Sequence, residues 1–96
     1  VKRDKMIREL TYMIDESDDV WRKIAFYSDQ RVQEILDSLY VRWGNANYEK
    51  TPLDYASDEE LKELYEKAIH IKEEDKDRAM LDMYRKIALS ADGSPP

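Results

Sequence analysis

The chain has 96 residues, 40% of them charged, with a formal net charge of −6, two glycines and no cysteine. Its length fits one domain, since domains run to about 50–250 residues. The missing cysteines exclude a disulfide scaffold, iron–sulfur clusters, cysteine-based zinc sites and thiol chemistry. No apolar run approaches the roughly 20 residues that cross a bilayer, and no signal-peptide pattern opens the chain. The expectation is therefore a small, acidic, cytoplasmic protein without a membrane role.

Apolar residues recur at steps of three and four from the start: Met6, Ile7, Leu10, Met13 and Ile14, then Val20, Trp21, Ile24 and Ala25. The series runs on through Val32, Ile35, Leu36, Leu39, Tyr40 and Trp43. This is the period of a helix that buries one face, and no sustained alternation marks a strand. Ser17, Asp18 and Asp19 are good caps for a helix beginning near Val20, and Ser28 or Asp29 could cap another. Because Ile24 and Ser28 stay on the stripe, the reading favours a break at 16–19 and continuity over 20–43.

Gly44 suits the left-handed position that ends helices, with Asn45 and Asn47 after it and Pro52 opposing helix across 50–53. Residues 44–57 are thus a connector, and its Tyr48, Leu53 and Tyr55 are expected to pack back on the helices. Ser57, followed by Asp58, Glu59 and Glu60, is a capping box, and three acids suit the positive end of the helix it opens. Leu61, Leu64, Tyr65, Ala68, Ile69 and Ile71 form the apolar face, which KEEDKD interrupts at 72–77. Ala79, Met80, Leu81, Met83, Tyr84, Ile87, Ala88 and Leu89 resume it. Asp75 or Asp77 could cap a separate last helix, or one helix could run from 58 to 90.

The fold expected is all-α, a small helical bundle or long helical hairpin of about three or four helices. These cover approximately 3–16, 20–43, 58–72 and 77–90, with the first two and the last two open to continuity. Residues 1–90 make a single helical domain, and 91–96 a flexible tail rich in glycine and proline.

Catalytic chemistry has little to work with. His70 is the only histidine, and no nucleophile elbow, calcium loop or phosphate-cradling glycine loop is present. Glu66, His70, Glu73 and Glu74 lie near one helical surface, but their spacing is not the Glu-x-x-His of di-iron bundles. No enzyme activity, metal or cofactor is expected.

Recognition is the better-supported class. Seven of the ten aromatic residues are tyrosines and two are tryptophans, types that tolerate one apolar and one wet side and are enriched at interfaces. Trp43, Tyr48 and Tyr55 flank or occupy the connector and are the first anchor candidates, with Trp21 next. The ordinary alternative is that these rings are the edges of a small core.

Charge adds a second feature. Residues 1–50 hold 9 basic and 10 acidic side chains, residues 51–96 hold 7 and 12. Glu59, Glu63, Glu66, Glu73 and Glu74 are the acidic contact candidates, for a basic partner protein or as a mimic of nucleic-acid phosphates. Their ordinary role is a solvated helix face with i,i+4 pairs such as Asp58–Lys62, Lys62–Glu66 and Glu63–Lys67. Lys2, Arg3, Lys5 and Arg8 are too few to make nucleic-acid binding a leading expectation. The width of the apolar face over 20–43 calls for a further helix, which a homodimer or larger assembly would supply. The function expected is a non-enzymatic protein–protein interaction module, an adaptor, inhibitor or assembly subunit. The alternatives are a self-associating structural subunit or a nucleic-acid-linked regulator.

Overall fold

The computed structural model describes residues 2–91 and is all-α. Helices α1 (Arg3–Thr11), α2 (Val20–Ser28), α3 (Gln30–Asn45), α4 (Asp58–Ile69) and α5 (Glu73–Ala91) form a bundle, and no strand occurs among the described residues. A π-helical turn, Tyr12–Glu16, continues α1, and a 3-10 turn, Pro52–Tyr55, lies between α3 and α4. Ala91 is the last residue of α5; the rest of the expected tail, 92–96, lies outside the described residues.

The break at 16–19 is where the caps put it. Asp19 accepts the Arg22 amide at 3.1 Å, and Ser17 Oγ accepts the Asp19 amide at 3.2 Å. The expected continuity over 20–43 is not observed. Asp29 is extended (φ −71°, ψ 126°) and its carboxylate accepts the Val32 amide at 3.0 Å, so it ends α2 and starts α3. A side chain that bonds the amide three residues on competes with the helix for it. Lys67 of α4 adds a 3.0 Å ion pair to the same carboxylate. The apolar stripe ran through Asp29 because both helices face one core. This break raises the helix count from the expected three or four to five.

Gly44 is not the left-handed stop. Helix α3 runs through it to Asn45, and Asn47, at φ 59°, takes that position instead. The Tyr48 amide bonds the Trp43 carbonyl at 2.9 Å and the Asn47 amide bonds that of Gly44 at 3.1 Å, which is the Schellman pattern with asparagine in the glycine's place.

The capping box of α4 is present in full: Ser57 Oγ accepts the Glu60 amide and Glu60 accepts the Ser57 amide. Helix α4 ends at Ile69 instead of 72, and α5 starts at Glu73 instead of 77, so a continuous 58–90 helix is excluded. Asp75 is the third residue of α5, where it accepts the Lys72 amide at 2.9 Å, and neither it nor Asp77 is the cap residue.

Leu10, Phe26, Val32, Ile35, Leu39, Leu61 and Leu64 are the most deeply buried side chains. They come from α1 to α4, with Leu53 and Ala56 of the connector closing one side. Helix α5 packs chiefly on α2 and contributes only Ala79 to the buried set among the described residues.

The expected i,i+4 pairs on α4 are not the ones formed; its charges pair across helices. Asp58 meets Arg3 of α1 at 3.0 Å, Glu63 meets Arg31 of α3 at 2.6 Å, and Lys67 meets Asp29. Lys76 of α5 bonds Asp19 at 2.9 Å. The molecule measures 47 × 30 × 22 Å with a radius of gyration of 15.6 Å, against roughly 12.5 Å for a compact chain of this length.

Candidate protein-interaction surface

The C-terminal end of α3 and the strained turn after it carry three adjoining aromatic rings. Tyr48 meets Trp43 edge-on, with centroids 4.9 Å apart and planes at 87°. Tyr40, one turn back, lies 6.2 Å from Trp43 at 62°. Such tilted pairs suit the ring quadrupoles and contribute about 0.5–1.5 kcal/mol beyond burial. Tyr48 is 67% exposed and Tyr40 55%, whereas Trp43 is half-buried between them.

Side chains committed to backbone partners fix the turn that presents Tyr48. Trp43 Nε1 donates to the Lys50 carbonyl at 3.1 Å, and the Tyr55 hydroxyl donates to the Glu49 carbonyl at 2.8 Å. Thr51 and Asp54 close a small capping box around the 3-10 turn, and these bonds hold the Asp54 carboxyl below its ordinary range. Arg42 forks onto Glu60 at 2.7 and 3.0 Å and also donates to the Tyr55 carbonyl at 3.0 Å. The Arg42 guanidinium, aided by the Ser57 amide, holds Glu60 down to about 2. Asn47, Tyr48 and Lys50 all have positive φ, between 58° and 62°. Asparagine tolerates this conformation, but tyrosine and lysine hold it only where the surroundings over-determine the backbone.

The four aromatic candidates therefore occupy different situations. Trp43 and Tyr55 use their polar ends to hold the connector, while Tyr48 is the exposed ring. Trp21 lies on α2, half-buried, 6.4 Å from Tyr84 of α5 at 49°. Tyr40 belongs with Tyr48, although its helical spacing in the sequence marked it only as part of a widened apolar face.

The five acidic candidates do not share one environment. Glu63 is engaged by Arg31, which lowers its carboxyl, and Glu73 pairs with Lys76 at 3.0 Å. Glu59 and Glu66 are exposed on α4, and Glu74 on α5. Of the basic N-terminal residues, Arg3 is taken up by Asp58 and the Asp54 carbonyl, and Lys5 approaches Glu9 at 3.8 Å. His70 follows α4, its Nδ1 2.7 Å from the Glu66 carbonyl.

No catalytic motif is found among the described residues. No group of three or more metal-ligating side chains occurs among the described residues, and none of their helices is long and apolar enough to cross a membrane. An open cleft of about 440 Å³ lies between the π-helical turn and α4, lined by Tyr12, Met13, Arg22, Tyr65 and Ile69 among others; the Glu9 carboxylate, also on its wall, pushes the Tyr65 hydroxyl above its ordinary range. A second set of exposed apolar side chains lies along the second half of α5: Leu81, Met83, Tyr84 and Ile87, with Val20 of α2 also exposed. The sequence marked the α5 residues as an apolar face but carried no sign that the face would stay uncovered. Compared with protein-family models, curated proteins and solved structures, the chain matches none.

Proposed function

We propose that this domain is a non-enzymatic protein-binding module whose contact surface is centred on Tyr40, Trp43 and Tyr48. The observation that carries the reading is Tyr48: a large exposed ring held in a left-handed backbone conformation by a connector with several independent side-chain ties. A rigid aromatic loses little conformational freedom on binding, and such residues supply much of the affinity at interfaces. Strain concentrates where function needs a fixed geometry. The net charge of −6 steers encounters toward a basic partner surface, with Glu59, Glu66 and Glu74 contributing to that field. Occupying a partner's surface, as an adaptor, inhibitor or assembly subunit does, is the mechanism this geometry suits.

Capture from native cell extract tests the reading, with wild type and a Tyr40→Ala, Tyr48→Ala double variant side by side. The variant should keep its melting temperature within a few degrees and lose the proteins that wild type retains. Retention of the same proteins by the variant would remove the patch from the function. Trp43→Ala is a poorer probe, because it also cuts the bond to Lys50.

A further inference from the structure

We propose that the exposed apolar face of the second half of α5 pairs with α5 of a second copy of this chain, the two helices running antiparallel. Helix α5 has 19 residues and α2, its main neighbour, has nine, or roughly 28 and 14 Å. The Lys76–Asp19 ion pair seats α2 against the first turn of α5, and the Trp21–Tyr84 contact carries that seat just past the middle of the helix. Beyond Met80 every residue of α5 through Leu89 is exposed. Among them are Leu81 at 58%, Tyr84 at 58% and Ile87 at 55%. Met80, Met83 and Ile87 make one stripe at helical spacing, and Leu81, Tyr84 and Ala88 make the stripe beside it.

With Val20 of α2 also 56% exposed, several large apolar side chains stand in water here, and monomers keep such patches to roughly 300–600 Å² at most. A standard interface takes roughly 800 Å² from each partner, with the apolar face as its centre and the charged residues beside it as its rim. This face is separate from the Tyr40–Trp43–Tyr48 surface and does not depend on that surface's role.

The order of charges along α5 selects the occupant. Residues 73–77 hold Glu73, Glu74, Asp75 and Asp77 with one lysine, whereas 78–91 hold Arg78, Arg85 and Lys86 with one aspartate. An antiparallel copy brings the basic end of each helix beside the acidic end of the other. A parallel copy would set acid against acid. The same gradient suits a lone helix dipole. Its coincidence with an uncovered apolar face on the same helix is what points to self-pairing, because a two-fold axis makes both features complementary at once.

Sedimentation equilibrium of the full chain over low to high micromolar concentration tests the proposal. Wild type should approach twice its 11.5 kDa mass as concentration rises. Leu81→Asp with Ile87→Asp should keep its far-ultraviolet helical signal and weaken association at least tenfold. Charge reversal tests the direction: Arg85→Glu, Lys86→Glu and Glu74→Lys, Asp77→Lys should each self-associate poorly, and mixing the two should restore the pair. A wild type that stays at monomer mass throughout overturns the proposal. So does a dimer indifferent to the aspartate substitutions, which would place the contact on another face. Two reversed chains that fail to recover when mixed overturn the antiparallel arrangement. Loss of extract capture by the Tyr40, Tyr48 variant is independent of all three results, so each reading can fail alone.

Discussion

The connector and α5 invert the usual relation between regular structure and anchorage. Residues 46–57 contain one short 3-10 turn, yet Leu53 and Ala56 are buried and Trp43, Tyr55, Arg42 and Asp54 all bond within or onto the segment. Helix α5 is the longest element and its backbone satisfies itself, yet among its described residues only Ala79 reaches the buried set. Satisfied backbone bonds make a helix locally stable without fixing it to anything; burial and long-range side-chain bonds do that. The two regions accordingly suit different work. A fixed irregular segment can hold a binding ring in one pose, while a regular helix with a bare face is a surface on which another helix can pack.

The sharpest way to break this contrast is the same truncation in both places. Leu53→Ala removes a buried side chain and should cost about 2–5 kcal/mol. Leu81→Ala removes an exposed one and should stay within about 0.5 kcal/mol when unfolding is followed at concentrations too low for self-association. Denaturant titrations of the two variants check this. Equal losses would mean that α5 is anchored as firmly as the connector.

A smaller effect separates charge from packing. Glu60 has its carboxyl held down to about 2 by Arg42 and Ser57, so the folded state binds this proton less readily than the unfolded chain. The stabilisation is complete above the ordinary carboxylate range near 4.5 and fades as pH falls from there toward 2. Allowing for solvent screening, it amounts to about 1–2 kcal/mol. Glu60→Gln should lower stability by that amount at pH 7 and flatten the acid limb of the profile between about pH 5 and 2. An unchanged acid limb would show that Glu60 contributes shape and not charge.

Replacing Asp29 by alanine should cost about 1 kcal/mol, as loss of a helix cap does, with the Lys67 ion pair lost beside it. Chemical unfolding of Asp29→Ala measures it. An increase in stability would mean that the α2–α3 break is imposed by the core, and that the aspartate only tolerates it.

What could be read in the amino-acid order follows the range of each interaction. The Ser57–Glu60 box spans three residues and was legible, as was the break before Val20. The second duty of Glu60, on Arg42 eighteen residues away, was not, since nothing local records it. Asp29 was visible as a possible cap but lost to the stripe, because periodicity reports which face is apolar and not whether the helix bearing it is interrupted. Gly44 misled for a related reason: the motif needs one residue able to turn left-handed, and Asn47 could do so three residues later. The site divides in the same way. Tyrosine and tryptophan content indicated a recognition surface, but which rings remain outside depends on the carbonyls that Trp43 and Tyr55 find in the folded connector. The α5 stripe looked like those of α1 and α3; only the short reach of α2 leaves it bare.

The least disturbing test concerns strain in the connector. Lys50 holds φ 58°, a conformation that costs an ordinary residue about 1–2 kcal/mol and glycine almost nothing. The Trp43 ring bonds the backbone carbonyl at position 50, so Lys50→Gly keeps that acceptor and discards an exposed side chain whose charge acts weakly on Asp54. Glycine's greater freedom in the unfolded chain offsets part of the relief, leaving an expected gain of about 0.5 kcal/mol. Thermal unfolding should therefore shift slightly upward, with extract capture unchanged. Tyr48→Gly relieves a similar backbone conformation but removes the exposed ring and its contact with Trp43, so it should gain no stability and lose capture. If Lys50→Gly destabilises the fold instead, the lysine side chain helps to hold the turn, and Tyr48 owes its pose to packing that strain does not oppose.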